Sequence, residues 1–192
     1  MSTTAHIEAS DPARLVAAPT ISVLMLAYNH GQWIGEAIES VLAQRTDEPF
    51  ELIVGEDCST DDTRAIALEW QRRHPDRIRV LYADTNAGMA ANFRRLVDAA
   101  RGEFLAYCEG DDYWCHPAKL DAQAALLRAD PRAGIVHADW VRARPVDGAW
   151  HVDYEHTAHA RVDPRVLSGD LFPVFYLPVS YTHLTLPTIL LV

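Results

Sequence analysis

The chain has 192 residues, is 49% hydrophobic and carries a formal net charge of −10 with a sequence pI near 5.2. That length and apolar content suit one globular α/β domain, alone or with a fragment of a second. The acidic balance repels phosphate backbones and so argues against nucleic acid as a partner.

Sixteen Arg stand against one Lys, Lys119. With no Gly-Lys-Ser/Thr element, a P-loop is excluded. Cys58, Cys108 and Cys115 are odd in number and lack the two-residue spacing of a zinc ribbon or redox pair. They read as reduced thiols of a cytoplasmic protein, with the inner face of a membrane as an alternative place for a longer chain. No apolar run approaches the roughly 20 residues of a membrane-spanning helix.

Residues 1–19 are mixed and polar, and the expectation is a frayed, flexible leader. The pattern becomes regular at Thr20. Ile21 to Ala27 is a near-continuous apolar run, as in a strand covered on both faces. Gly31 to Gln44 follows, with Ile34, Ile38, Val41 and Leu42 at helical spacing. Phe50 to Val54 is a second strand. Ser59-Thr60-Asp61-Asp62 reads as a capped helix start, Ser59 supplying the hydroxyl. Ile78 to Tyr82 is a third strand. Gly88 to Ala100 is a helix with Phe93, Leu96 and Val97 on one stripe, terminated by Gly102. Phe104 to Cys108 is a fourth strand. Pro117 opens another helix that closes at Pro131, and Gly134 to His137 is a short fifth strand.

Strands and helices alternating at this spacing predict an α/β fold: a mostly parallel sheet sandwiched by helices. The regular part spans 20–140. Residues 141–179 are expected to begin a second, incomplete region, of which 142–165 are irregular or hairpin-like. Residues 180–192 resemble translated adapter DNA and are set aside as a non-native tail.

Ligands of such folds bind beyond the carboxyl ends of the strands. Three polar clusters fall there: Tyr28-Asn29-His30, Glu56-Asp57-Cys58-Ser59 and Glu109-Gly110-Asp111-Asp112. Two acidic loops on one rim repel each other unless a cation or donor groups offset them. Three carboxylates within four residues suit Mg²⁺ or Mn²⁺, which take diphosphate oxygens as further ligands. An Asp-rich turn before the next helix is the plainer alternative.

These clusters carry a resemblance. Ile21 to Asn29, Ile53 to Thr63, Asn86-Ala87-Gly88 with Asn92, and Arg101 to Trp114 are, in order and spacing, similar to family 2 glycosyltransferases of the Rossmann-like GT-A fold. The resemblance covers residues 20–140 and implies the nucleotide-sugar-binding portion of a longer enzyme. It implies transfer of a sugar from a nucleotide-diphosphate sugar, UDP-sugar by default, to a hydroxyl of a saccharide, lipid-linked or protein acceptor, with inversion. By the same resemblance Ala27, Tyr28, Asn29 and Asp57 hold the base and ribose; a carboxylate can accept the imide N–H of uracil. Glu109, Gly110 and Asp111 stand at the family's Asp-x-Asp motif, with Asp111 as metal ligand and Glu109 and Asp112 as further candidates.

Glu56, Cys58 and Glu109 depart from the commoner Asp, Gly and Asp. Cys58 in place of Gly implies a loop that needs no positive φ. Asn86, Gly88 and Asn92 either hold the donor's phosphate and sugar, near a helix N-terminus, or form a turn and helix start. By the same resemblance the catalytic base is expected beyond the fifth strand, in the missing acceptor half. Asp139 is a candidate on position alone, with an ordinary strand-end Asp the equal alternative. Tyr113 and Trp114 either line the sugar site or, for Trp114, pack in the core. His137, His151, His156 and His159 read as surface histidines.

Two rivals remain. A Mg²⁺-dependent nucleotidyl- or phosphotransferase would carry a Gly-rich basic loop, or an Asp nucleophile, after the first strand. A catalytically incomplete nucleotide-sugar-binding fragment would bind the donor without turning it over.

Overall fold

The computed structural model describes residues 6–130, 132–136, 138, 142–146, 149–153 and 189–191. The elements in chain order are β1 (Ile7–Ala9), β2 (Ile21–Ala27), α1 (Ile34–Leu42), β3 (Phe50–Glu56), α2 (Thr63–Arg73), β4 (Ile78–Tyr82), α3 (Met89–Ala99), β5 (Phe104–Tyr107), α4 (Lys119–Ala129), β6 (Ile135–Val136), β7 (Arg142–Val146), β8 (Ala149–Asp153) and β9 (Ile189–Leu191).

One sheet has the order β1-β4-β3-β2-β5-β9-β6. Its centre, β4-β3-β2-β5, is parallel, with Ile21 paired to Phe50 on one side and to Phe104 on the other. β1 and β9 run antiparallel to their neighbours. β7 and β8 form a separate antiparallel hairpin, as the hairpin-like expectation for that region has it.

The continuous apolar run of β2 is explained by what covers it. Val23, Met25 and Ala27 point to one face and join Ile34, Ile38 and Val41 of α1, Ala67 of α2, and Leu120, Ala124 and Leu127 of α4. Leu24 and Leu26 point to the other face and meet Leu96 of α3 with Ile53, Leu81 and Leu105. Each fully buried Leu or Ile contributes roughly 1.5–3 kcal/mol. Trp114 is buried in the larger cluster, which settles its role as packing.

Polar residues close the amino edge of the sheet. Glu51, fully buried, accepts hydrogen bonds from Ser22 Oγ (2.7 Å), Arg101 Nη2 (2.6 Å) and Arg79 Nη1 (3.2 Å). Arg79 reaches on to both carboxylate oxygens of Glu8 at 2.9 and 3.1 Å. This ties β1 down, so residues 7–9 are not frayed as expected of the leader. Ile7–Ala9 is too short and too exposed to show a strand period, and the pairing depends on a distant Arg.

Two further expectations are corrected. α2 starts at Thr63 with no side-chain cap, and Ser59 Oγ instead accepts Asn29 N. Gly102 does not terminate α3, which ends at Ala99. A Cβ there would lie 2.5 Å from Ser22 N, so glycine permits close approach to β2. Within the stretch set aside as a tail, Ile189–Leu191 forms a strand between β5 and β6.

Candidate functional site

β2 and β5 are neighbours at the point where strand order reverses, with β3 and β4 on one side and β5 on the other. A crevice opens beyond the carboxyl ends of strands at such a point. The three polar loops expected at strand ends meet there. Gly110 N donates to Leu26 O at 2.8 Å and Asp57 N to Ala27 O at 3.0 Å, so both acidic loops latch onto the end of β2.

The first two loops are stitched together. Asn29 N donates to Ser59 Oγ (3.0 Å), Thr60 N to Asn29 Oδ1 (2.9 Å), His30 N to Thr63 Oγ1 (2.8 Å) and Gly31 N to Asp61 Oδ2 (2.9 Å). Asn29 has φ 58° and Cys58 φ 61°. The expectation that Cys58 marks a loop without positive φ is therefore wrong. The left-handed turn is present, and a residue with a Cβ is held in it by the surrounding bonds.

Asp57 is buried and accepts Ala87 N at 2.9 Å on one oxygen and Gly88 N at 2.8 Å on the other. It thus fastens the loop ahead of α3, where Gly88 has φ 83° and Asn86 Oδ1 also accepts Gly88 N. Asn92 lies beneath this loop, its amide donating to Gly55 O at 2.7 Å. Of the two readings for Asn86 and Gly88, a turn and helix start describes the geometry, and Asn92 bonds α3 to β3.

Glu56 is also buried. It accepts Arg64 Nε and Ser59 N, each at 2.5 Å, and organises the loop from inside. Ala27 is buried at the end of β2, whereas Tyr28, directly after it, and Tyr113 of the third loop's continuation are half-exposed.

In the third loop Glu109 Oε1 accepts Tyr107 Oη–H at 2.7 Å. Burial pushes the Glu109 carboxyl above its ordinary range; the nearby Asp111 charge adds to this, while Tyr107 and His30 oppose it. Asp112 is buried; it raises the Cys108 thiol further, after the larger effect of that thiol's own burial. Asp111 remains partly accessible, with His30 Nε2 3.9 Å from its Oδ2. Gly110 makes this possible, because a Cβ would lie 2.7 Å from His30 Nδ1 and 3.0 Å from Leu26 O.

Among the described residues no group of three or more His, Cys, Asp or Glu is arranged to enclose a metal. One accessible carboxylate with a second close by still fits Mn²⁺ or Mg²⁺. Such ions are held by one or two carboxylates, with water and phosphate completing the sphere. The Glu109 carboxyl, raised by burial and by the nearby Asp111 charge, is a negative group that a cation would relieve.

Two site residues escaped the sequence reading as individuals. His30 was one of a cluster with no role assigned. Arg95, on the buried stripe of α3, donates to Glu56 O at 3.1 Å and to Asn92 Oδ1. Burial lowers its pKa, and Asp57 and Glu56 pull it back. An Arg three residues after Asn92, on the same inward stripe as Leu96, was the available signal. Asp139, His137, His156 and His159 lie outside the described residues.

With this geometry in view, the comparisons define the class. The sequence model of Glycosyl transferase family 2 matches residues 22–175. The chain belongs to that family. An uncharacterised protein of Mycobacterium tuberculosis is 43% identical over 115 residues, covering 60% of this chain and 33% of the relative. An uncharacterised glycosyltransferase of Nostoc sp. is 33% identical over 117 residues, 61% of this chain and 35% of the relative. The chain therefore spans about a third of the length of these curated relatives.

Among solved structures, the mannosyltransferase PcManGT of Pyrobaculum calidifontis, in complex with GDP-Man and Mn²⁺, is 27% identical. Its TM-score is 0.56, over 66% of this chain and 36% of that one. Residues 1–349 of S. aureus TarS in complex with UDP are 28% identical with a TM-score of 0.53, over 68% of this chain and 37% of that one. The α/β sheet is thus a GT-A glycosyltransferase fold. Among the described residues no helix is long and apolar enough to cross a membrane.

Proposed function

We propose that this chain supplies the donor-binding part of a glycosyltransferase that moves a sugar from a nucleotide diphosphate to a hydroxyl acceptor, with inversion and with a divalent metal. The observation that carries this reading is the meeting of the Asn29, Asp57 and Asp111 loops at the β2/β5 switch point. Tyr28, Asn29 and Asp57 border the place for base and ribose, and Asp57 retains lone pairs after its two loop bonds. Asn86, Gly88 and Asn92 shape the adjoining wall.

Asp111, with Glu109 beside it, would hold Mn²⁺ or Mg²⁺, and buried Asp112 supports that loop from behind. When bound, the metal neutralises charge on the departing diphosphate. The chain's own part is to bind and orient the donor so that one face of the sugar is open to the acceptor. The base that deprotonates the acceptor is assigned to the region beyond β6, where Asp139 is a candidate by sequence position alone. UDP is the default nucleotide, and GDP is the second to try, since PcManGT is complexed with GDP-Man.

Calorimetric titration of UDP and GDP, with Mn²⁺ and then with EDTA, tests this reading. Metal-dependent binding of one of them, abolished by Asp111→Asn in a folded protein, is the expected result. Equal affinity in EDTA, or in the variant, overturns the metal role of Asp111.

A further inference from the structure

The imidazole of His30 is held more firmly than a surface loop requires. Its backbone N–H is bonded to Thr63 Oγ1, its carbonyl accepts Trp33 N and Ile34 N at 2.8 Å each, and its ring meets Trp33 edge-on at 6.5 Å. Its Nδ1 is buried against Gly110 and has no hydrogen-bond partner among the described residues.

An unpaired buried N–H is costlier than an unpaired ring lone pair, so the proton belongs on Nε2. That nitrogen is the one turned toward Asp111, and at 3.9 Å it is too distant to bond Oδ2. The site therefore holds a fixed donor beside the metal carboxylate, aimed at a group the protein does not supply.

We propose that His30 donates its Nε2–H to a diphosphate oxygen of the sugar donor, an inference that rests on the donor-binding reading above. Two oxygens held by one small cation sit side by side. An oxygen sharing an ion with Asp111 thus comes into the neighbourhood of Nε2. The alternative, His30 as a metal ligand through Nε2, would force the proton onto Nδ1. Ligating histidines normally give that N–H to an acceptor, and here Nδ1 has none. His30 is on this reading a substrate-contacting residue that stabilises the leaving diphosphate.

The test compares a nucleoside diphosphate with its monophosphate. UDP, UMP, GDP and GMP are titrated into wild type, His30→Ala and His30→Gln in Mn²⁺, with circular dichroism melts as the control for folding. The expected result is a roughly 10-fold loss of diphosphate affinity in His30→Ala, the scale of one charge-assisted hydrogen bond. Monophosphate affinity stays within about twofold on the same ground. His30→Gln, which keeps an N–H near Nε2 and serves if the Ala variant does not fold, recovers most of the loss.

Equal losses for mono- and diphosphate, or no loss for either, overturn the proposal. So does a nitrogen coupling from His30 in the electron spin-echo spectrum of bound Mn²⁺, which would make it a ligand. If wild type binds neither UDP nor GDP, the donor-binding reading falls, and this one with it.

Discussion

Cys58 and Asn29 hold left-handed backbone conformations in facing loops, and they are not equivalent. Asn is among the residues that most readily adopt this region, and here Asn29 Oδ1 also accepts Thr60 N and Oγ1 from the facing loop. Cys58 has no such compensation from its side chain, and its φ of 61° is a local cost carried by the bonds around it. Cys58→Gly should therefore raise stability by about 0.5–1 kcal/mol, because relief of Cβ strain exceeds the added chain entropy of glycine. A urea midpoint unchanged or lowered in this variant would show that the turn is unstrained. Sequence placed Asp57, Asp111 and Asn29 at the right strand ends, because strand ends are legible from the apolar period. It misjudged Cys58 because residue type reports preference, and tertiary bonds can impose a conformation against it.

At the scale of elements, the long runs read well and the short or polar ones did not. β2, β3, β4 and β5 emerged from apolar periodicity, with ends shifted by a residue or two. The α1 and α3 stripes led with Ile34, Ile38 and Leu96 to the faces they cover. β1 escaped because its pairing depends on Glu8 meeting Arg79 across the sheet, a contact 71 positions apart.

That clamp has a pH signature. The hydrogen bonds from Arg79 hold the Glu8 carboxyl below its ordinary 4.5. A carboxyl lowered in the folded state contributes stability above its unfolded pKa and loses it as pH falls through the lower, folded value. Glu8 is partly exposed, so the contribution at neutral pH is modest, on the order of 0.5–1 kcal/mol. Glu8→Gln should lose this at pH 7, and the gap from wild type should close as pH drops well below 4.5. Denaturant midpoints from pH 7 to 2.5 measure it. A gap that persists at the acid end would mean the clamp acts by packing rather than charge.

Across the whole molecule the two edges of the sheet treat charge in opposite ways. At the amino edge Glu51 is enclosed and fully paired with Ser22, Arg79 and Arg101. At the carboxyl edge Glu109 and Asp111 share one loop, and burial together with the Asp111 charge makes the Glu109 carboxylate less favourable. The first arrangement serves the fold, and the second leaves stability unused for a ligand to recover. The contrast gives paired expectations for unfolding in EDTA. Glu51→Ala leaves Arg79 and Arg101 without their shared carboxylate and should cost about 3 kcal/mol or more. Asp111→Asn removes a repulsion and should gain about 0.5–1 kcal/mol. Added Mn²⁺ should then stabilise wild type by mass action, leave Asp111→Asn unmoved, and shift Glu51→Ala upward like wild type. Urea midpoints with and without Mn²⁺ give all the comparisons. An Asp111→Asn variant less stable than wild type in EDTA would show that Asp111 works for the fold, as Asp57 does for the loop before α3, and would remove the main physical reason for placing a cation at this edge.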